Sequence, residues 1–469
     1  MSKRKQIILP AVPIHGIADR GKGVGRTAEG LTVFVEGAVP GDVADVFVQK
    51  KKSGFAEGNV ERLLTPSPDR TTPFCAHFQI CGGCKWQNLD YAAQLKHKHQ
   101  TVLDAFQRIA KVSVEDFQPI LGAPATQYYR NKLEFAFSDR RWLLESELGL
   151  FAPEDDRSGL GFHRAGAFDK VVDITHCWLQ ADPSNAIRNA AREIARAQGL
   201  AFYNIRTHEG FLRNLMLRIT DTGETMLLFS FAQPDQEAID RYLGALLERF
   251  RDRITTIVYC VNQKRNDTVF DQEMIVWFGK GYVEERLGDL RFKIGPKSFF
   301  QTNSAQAKNL YDTVLEFAEL RGTENVYDLY TGAGSIALYA ARYCKQVVGI
   351  EEVPEAILDA EENRTRNGIQ NAIFYAGDVR QLLTPEFAAA HGKPNLVITD
   401  PPRAGMHEKA VRFLLELAAP RIVYVSCNPA TQARDLQILS EKYAVRKVRP
   451  VDMFPHTHHI ENVAQLELR

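Results

Sequence analysis

Cys427 closes the run Ile422–Val425, an apolar, β-branched stretch that reads as a buried strand, and it precedes Asn428-Pro429 and a helix opening near Thr431. A thiol at the carboxyl end of a strand lies on the edge where open α/β sheets bind ligands. Helix N–H dipoles favour a thiolate there, so the position suits a nucleophile. A buried, inert cysteine is the plainer alternative, but a core cysteine needs no Asn-Pro turn behind it. A second set of thiols lies upstream, Cys75, Cys81 and Cys84, with two glycines between the last pair. Three thiols this close suit metal or cluster ligation, with Cys177 as the fourth ligand, and four thiolates accept either an iron–sulfur cluster or zinc. Two further stretches end in carboxylates: LVIT leads into Asp400-Pro401-Pro402-Arg403, and Pro455-His456-Thr457-His458-His459-Ile460 leads into Glu461.

The elements that must position these groups form an α/β unit over residues 291–469. Asn325–Tyr330 reads as a strand, Thr331-Gly332-Ala333-Gly334-Ser335 as a glycine turn, and IALYAARYC as a helix. Strand QVVGI then delivers Glu351, about twenty residues past the glycines, where a carboxylate binds ribose hydroxyls. Strand AIFYAG delivers Asp378, positioned for an adenine amino group. A nicotinamide-dependent dehydrogenase shares this general layout. Acidic residues at successive strand ends are, however, typical of S-adenosylmethionine methyltransferases, and a dehydrogenase has no use for the Asp-Pro-Pro turn.

Residues 1–64 carry short apolar strands punctuated by glycines, with a basic turn at Lys50-Lys51-Lys52, and predict a small β-barrel. Ten Lys and Arg against seven Asp and Glu make this segment basic, which suits single-stranded nucleic acid. Over the whole chain, 58 basic and 58 acidic residues cancel, so an RNA site has to be a local patch. Thr65-Pro66-Ser67-Pro68 reads as a linker into an α+β region, residues 65–290. There, Asp90–Ala110 predicts an amphipathic helix with Leu95, Val102, Phe106 and Ile109 on one face. Tyr128-Tyr129-Arg130-Asn131-Lys132 combines rings and cations in the manner that suits base stacking and phosphate contact. Seven cysteines, an odd number clustered in part, do not resemble a secreted disulfide framework. The basic start MSKRK is followed by an apolar run broken by Pro10 and Pro13, so no signal peptide or membrane span is expected and the chain reads as cytoplasmic.

DPPRAG, IVYVSCNPAT and DMFPHTHHIE, with Phe300-Gln301-Thr302-Asn303 ahead of them, together resemble the RNA uracil-C5 methyltransferases of the RumA/TrmA type. The barrel resembles a TRAM domain, and the cysteine set extends the likeness over nearly the whole chain. The resemblance implies a Rossmann-like class I methyltransferase domain behind a TRAM barrel and a central domain carrying a [4Fe-4S] cluster on Cys75, Cys81, Cys84 and Cys177. It implies S-adenosylmethionine bound by Gln301, Tyr330, Ser335, Glu351, Asp378 and Asp400, a covalent step at Cys427, and proton removal by Glu461. Tyrosine-330 is followed by Thr331 where the family often has cysteine, and Ser335 stands where a larger amide is common. Barrel and cysteines together resemble the RlmD-like branch, which implies a monomeric enzyme acting on 23S rRNA, with tRNA as the alternative. A radical methylthiotransferase also carries such barrels but expects a Cys-x3-Cys-x2-Cys spacing, an amino-group methyltransferase expects an aromatic where Arg403 stands, and a catalytically idle RNA-binding protein has no need of Cys427.

Overall fold

The computed structural model describes residues 7–152 and 155–469; residues 1–6, which hold the basic start, lie outside the described part. Five strands, Ile8–Ile17, Gly23–Arg26, Thr32–Glu36, Val43–Lys51 and Phe55–Thr65, close into a barrel around Val12, Val33, Val35 and Val46. Gly25 and Gly58 let its strands cross closely, since a Cβ would stand 2.3 Å and 2.2 Å from the carbonyl oxygens of Pro13 and Phe47. The lysine turn is exposed at its rim.

A seven-stranded sheet forms the middle of the molecule, in the order Ile275–Gly279, Thr256–Val261, Thr225–Phe231, Leu212–Ile219, Lys132–Ser138, Gly159–Arg164, Ala167–Asp173. Helices Ser184–Ala197 and Gln236–Phe250 cover it and bury Ile187, Ala191, Tyr242 and Leu246 against Leu215, Leu227 and Phe229.

The third unit is an eight-stranded sheet in the order Ala372–Ala376, Gln346–Glu351, Asn325–Leu329, Leu396–Thr399, Arg421–Ser426, Glu461–Leu468, Tyr443–Val451, Val114–Phe117. Glu461–Leu468 alone runs against its neighbours. Alternate side chains of Arg421–Ser426 face two cores: Val423 and Val425 pack with helix Ser304–Ala318, while Ile422 and Tyr424 pack with helix Pro429–Leu439. Burial on both faces is what a nearly unbroken apolar strand sequence dictates.

Two expectations shift. The segment that includes helix Tyr91–Ala105 and strand Val114–Phe117 packs against the eight-stranded sheet, where Val102, Ala105 and Phe106 join Leu436 and Tyr443 in one core. A boundary at 290 also divides the hairpin Val283–Leu287/Leu290–Ile294. The predicted helix does start at the Asp90 cap, whose side chain accepts from Ala92 N, but its last turn, Phe106–Ala110, widens to a π-turn. That turn swings Ile109 out to solvent while Phe106 stays buried. On the buried face of the same helix stand two polar residues, Gln94 and Lys98, both fully enclosed.

Candidate active site

Leu329 pairs with Ile350 and Thr399, Glu351 with Ala376, and Thr399 with Tyr424. The carboxyl ends of five strands therefore share one edge, with Tyr330, Glu351, Asp378, Asp400 and Cys427 just beyond them. Ser426 pairs with Asn462 in the antiparallel ladder, so Cys427 and Glu461 are the next opposed positions on that edge. The reversed direction of the last strand is what brings its first residue beside Cys427.

The glycine turn keeps its backbone open. Gly332 (φ +56°) has no atom within 4 Å of where a Cβ would stand, whereas a Cβ on Gly334 (φ +79°) would press on Phe374 at 3.0 Å. Gly332 N donates to Glu351 Oε2 at 3.0 Å, and Val353 N donates to Oε1 at 3.0 Å, which fixes the carboxylate beside the turn. Asp378 caps helix Val379–Leu382 and pairs with Arg380, which holds its carboxyl below the usual range. Ser335 Oγ shares a hydrogen bond of 2.8 Å with the buried Tyr311 hydroxyl. Gln301 lies in a loop pinned from both sides: Asn131 Nδ2 donates to its carbonyl at 3.0 Å, and Asn303 Nδ2 donates to Met453 O at 2.9 Å.

Three acids crowd this edge, Asp328 and Glu461 buried and Asp400 half-buried. Burial raises Asp328 to about 7 and Asp400 to about 7, and Asp400 adds to the upward push on Asp328. Burial, then Asp400, raises Glu461 well above the usual carboxylate range, with Arg403 pulling it down. Cys427 is pushed up to about 11, by burial first and then by Glu461 and Asp400, against the pull of Arg403. The helix dipole was expected to lower that thiol; desolvation beside two carboxylates outweighs it. Arg403 Nη2 in turn donates to His459 Nδ1 at 2.5 Å, and His459, pushed down to about 3 chiefly by burial, stays neutral to accept it.

Sequence reasoning passed over Asp328, Tyr311 and His459. The available signal for Asp328 was a carboxylate inside an apolar strand run; Tyr311 gave none, being one apolar-face position of a helix.

Cys75, Cys81, Cys84 and Cys177 line one cavity of about 180 Å³. All four are free thiols. Burial pushes Cys81 up to about 11 and Cys84 to about 12, and the neighbouring thiols add to it. Among the described residues no three His, Cys, Asp or Glu side chains are grouped so as to hold a single metal ion. His176 and Trp178, with ring centroids 4.6 Å apart, line the cavity, and the Tyr128 ring packs on Trp178 at 5.6 Å. Tyr128 is 41% exposed and held at φ +53°, a strained setting for a bulky residue.

The model of the tRNA (Uracil-5-)-methyltransferase family matches residues 270–469, and that of the TRAM domain matches residues 11–60. An RNA methyltransferase of Bacteroides thetaiotaomicron is 50% identical over 97% of this chain and 100% of its own length. The chain belongs to the family of S-adenosylmethionine-dependent RNA (uracil-C5) methyltransferases. An RNA methyltransferase of Porphyromonas gingivalis is 52% identical over 93% of this chain and 95% of its own. Among solved structures, the tRNA (uracil-54, C5)-methyltransferase of Pyrococcus abyssi, in complex with S-adenosyl-L-homocysteine, matches 97% of this methyltransferase and 99% of its own chain, with a TM-score of 0.73 and 29% identity. No helix among the described residues of the methyltransferase is long and apolar enough to cross a membrane.

Proposed function

We propose that this methyltransferase acts on a uridine of 23S rRNA through a transient bond between Cys427 and the base. Cys427 Sγ adds to C6, and the C5=C6 electrons move onto O4 as an enolate beside Arg403. C5 then takes the methyl group as its bond to the sulfonium breaks and S-adenosylhomocysteine leaves. Glu461 removes the C5 proton, the C5=C6 bond re-forms, and Cys427 departs as thiolate. The observation that carries this reading is the register of the last two ladders, in which Cys427 and Glu461 are opposed at the ligand edge with Asp400 and Arg403 around them. A thiol raised this far is not a thiolate at rest, so the Cys427 proton, and the proton that burial favours on Glu461, leave to solvent in the complex, where the cationic sulfonium joins Arg403. The cofactor would lie between Gly332 and the strand ends, with Glu351 on ribose, Asp378 on adenine, Tyr330 on the adenine face, and Gln301, Ser335 and Asp400 toward its methionine end.

Replacing Cys427 with alanine tests this: methyl transfer from labelled S-adenosylmethionine falls to background while RNA affinity is kept. Methylation at the wild-type rate would remove the nucleophile and the reading with it.

The cysteine cavity fits a polynuclear group better than zinc. A zinc ion draws its thiolates to about 2.3 Å, whereas these four are among fifteen residues lining a cavity several water volumes in size. Cys75, Cys81, Cys84 and Cys177 would hold a [4Fe-4S] cluster, which would brace the loops around it. The methyl transfer moves electron pairs only. Tyr128 and Trp178, with Arg130 between Phe454 at 5.0 Å and Tyr129 at 5.9 Å, offer stacking faces and a cation for unpaired RNA, as does the barrel's lysine turn.

A tRNA target is the second reading. It is favoured by the Pyrococcus abyssi enzyme, a tRNA methyltransferase that matches the barrel region as well as the catalytic unit. Mapping 5-methyluridine in rRNA and tRNA from a strain lacking this protein separates the two.

A further inference from the structure

Glu461 and His459 hang from one strap, residues 452–460, that crosses between strands Tyr443–Val451 and Glu461–Leu468. The strap has no regular structure of its own, and its residue His456 is held at φ +64°. Asn303 Nδ2 holds Met453 O at 2.9 Å and the Tyr129 hydroxyl holds Pro455 O at 3.0 Å, and further fixed points come from the helix Tyr91–Ala105 and the short stretch that joins this helix to Cys84. Lys98 Nζ donates to Asp452 Oδ1 at 2.6 Å and to Phe454 O at 3.1 Å, with both charged side chains fully enclosed. Tyr91 OH donates to Asp452 Oδ2 at 2.9 Å. Gln94 Oε1 accepts from His456 N at 2.9 Å, and its Nε2 meets His456 Nδ1 at 3.1 Å. The backbone N–H groups of Lys85 and Trp86 both donate to His456 O, at 2.8 and 3.1 Å.

An ion pair sealed from water is expensive to form and gains little net stability over apolar residues of the same size. What it does supply is direction: a lysine head gripping one carboxylate and one carbonyl fixes two points of a loop at once. Three residues on from the His456 clasp, His459 holds Arg403; five residues on, Glu461 faces Cys427. We propose that Lys98, with Gln94, is a positioning residue for methyl transfer: it sets the strap so that Arg403 and Glu461 meet the two faces of the same base. None of these side chains touches the reacting atoms. The proposal rests on the roles assigned above to Cys427 and Glu461.

The test replaces the pair by apolar residues of similar volume, Lys98→Met with Asp452→Leu, which leaves no charge unpaired. The melting temperature and RNA affinity of this enzyme stay near wild type, KM for RNA is kept, and kcat falls by between about 10- and 100-fold, the cost of a base and a cation displaced by a fraction of an ångström. Formation of the covalent adduct with RNA carrying 5-fluorouridine at the target slows in step. Tyr91→Phe removes a half-buried hydroxyl that donates to Asp452 and accepts from Ala123 N at 2.7 Å, and lowers kcat about fivefold through the bond lost to the strap. A folded double variant with wild-type kcat, or one that loses RNA affinity instead, overturns the proposal; if the double variant does not fold, a Tyr91→Phe enzyme with wild-type kcat does so. Glu461→Gln run alongside keeps the cases apart. If it accumulates adduct while the Lys98 variants turn over normally, only the positioning role falls; if it accumulates none, the assignment of Glu461 falls first.

Discussion

Glu461→Gln isolates the last step of the reaction. The carboxyl is buried beside Asp400, and both burial and that neighbour favour its protonated form. A neutral amide of the same shape therefore leaves the resting charge of the site unchanged, and affinities for RNA and S-adenosylmethionine should stay within about twofold, a few tenths of a kcal/mol. Addition of Cys427 is not impaired either, because the amide carries no negative charge that could hold the thiol up. What is lost is the acceptor for the C5 proton. A positioned general base contributes about 10²–10⁴-fold, or roughly 3–5 kcal/mol of barrier, so turnover should fall by that factor. The enzyme should then stall as a methylated covalent complex. Single-turnover reactions with labelled methyl donor, resolved on denaturing gels, read both quantities: one methyl group per enzyme enters RNA, and the label migrates with protein. Fast turnover without adduct, or loss of methylation together with loss of adduct, would refute the reasoning.

The RNA platform is tested by Trp178→Ala and Tyr128→Ala: each weakens binding of an unpaired target oligonucleotide by about tenfold, within the 1–3 kcal/mol of one stacked base, and leaves kcat at saturation alone. Anaerobic loading with iron and sulfide should give equimolar amounts of both in the wild type and in Cys260→Ser, whose thiol is buried in the middle sheet, but neither in Cys84→Ser; a zinc-only product would refute the cluster. Asp328 carries a stability signature. Its carboxyl stands near 7 when folded against about 4 when unfolded, so the native state retains a proton that the unfolded chain releases. That contribution is full below about pH 4 and is lost as the pH rises through 7, up to roughly 4 kcal/mol. Asp328→Asn should therefore flatten the fall in melting temperature between pH 5 and 8 in the absence of cofactor; an unchanged slope counts against it.

The place of Cys427 between a strand end and a helix start was legible because an apolar strand, a cysteine and an Asn-Pro helix start are all local signals. Gly332, Glu351 and Asp378 were legible for the same reason, each being the end of a strand with its own pattern. The thiolate expectation at Cys427 failed because its two opposing carboxylates come from strands 27 and 34 positions away in the chain. Long-range crowding leaves no trace in spacing. The membership of strand Val114–Phe117 in the catalytic sheet was hidden likewise, since four residues pair with a partner over 300 positions later. Gln94 and Lys98 were the opposite case: nothing local marks two polar side chains of a helix for burial, and only the strap's backbone groups and Asp452 explain why they are enclosed.

The reversed strand Glu461–Leu468 is inserted between two others in the interior of the eight-stranded array. Without it, Arg421–Ser426 and Tyr443–Val451 would present raw edges to each other across an empty lane. One strand thus stitches the ligand-binding half of the sheet to its outer strands, so damage along it would be felt at Cys427 and at the strap alike.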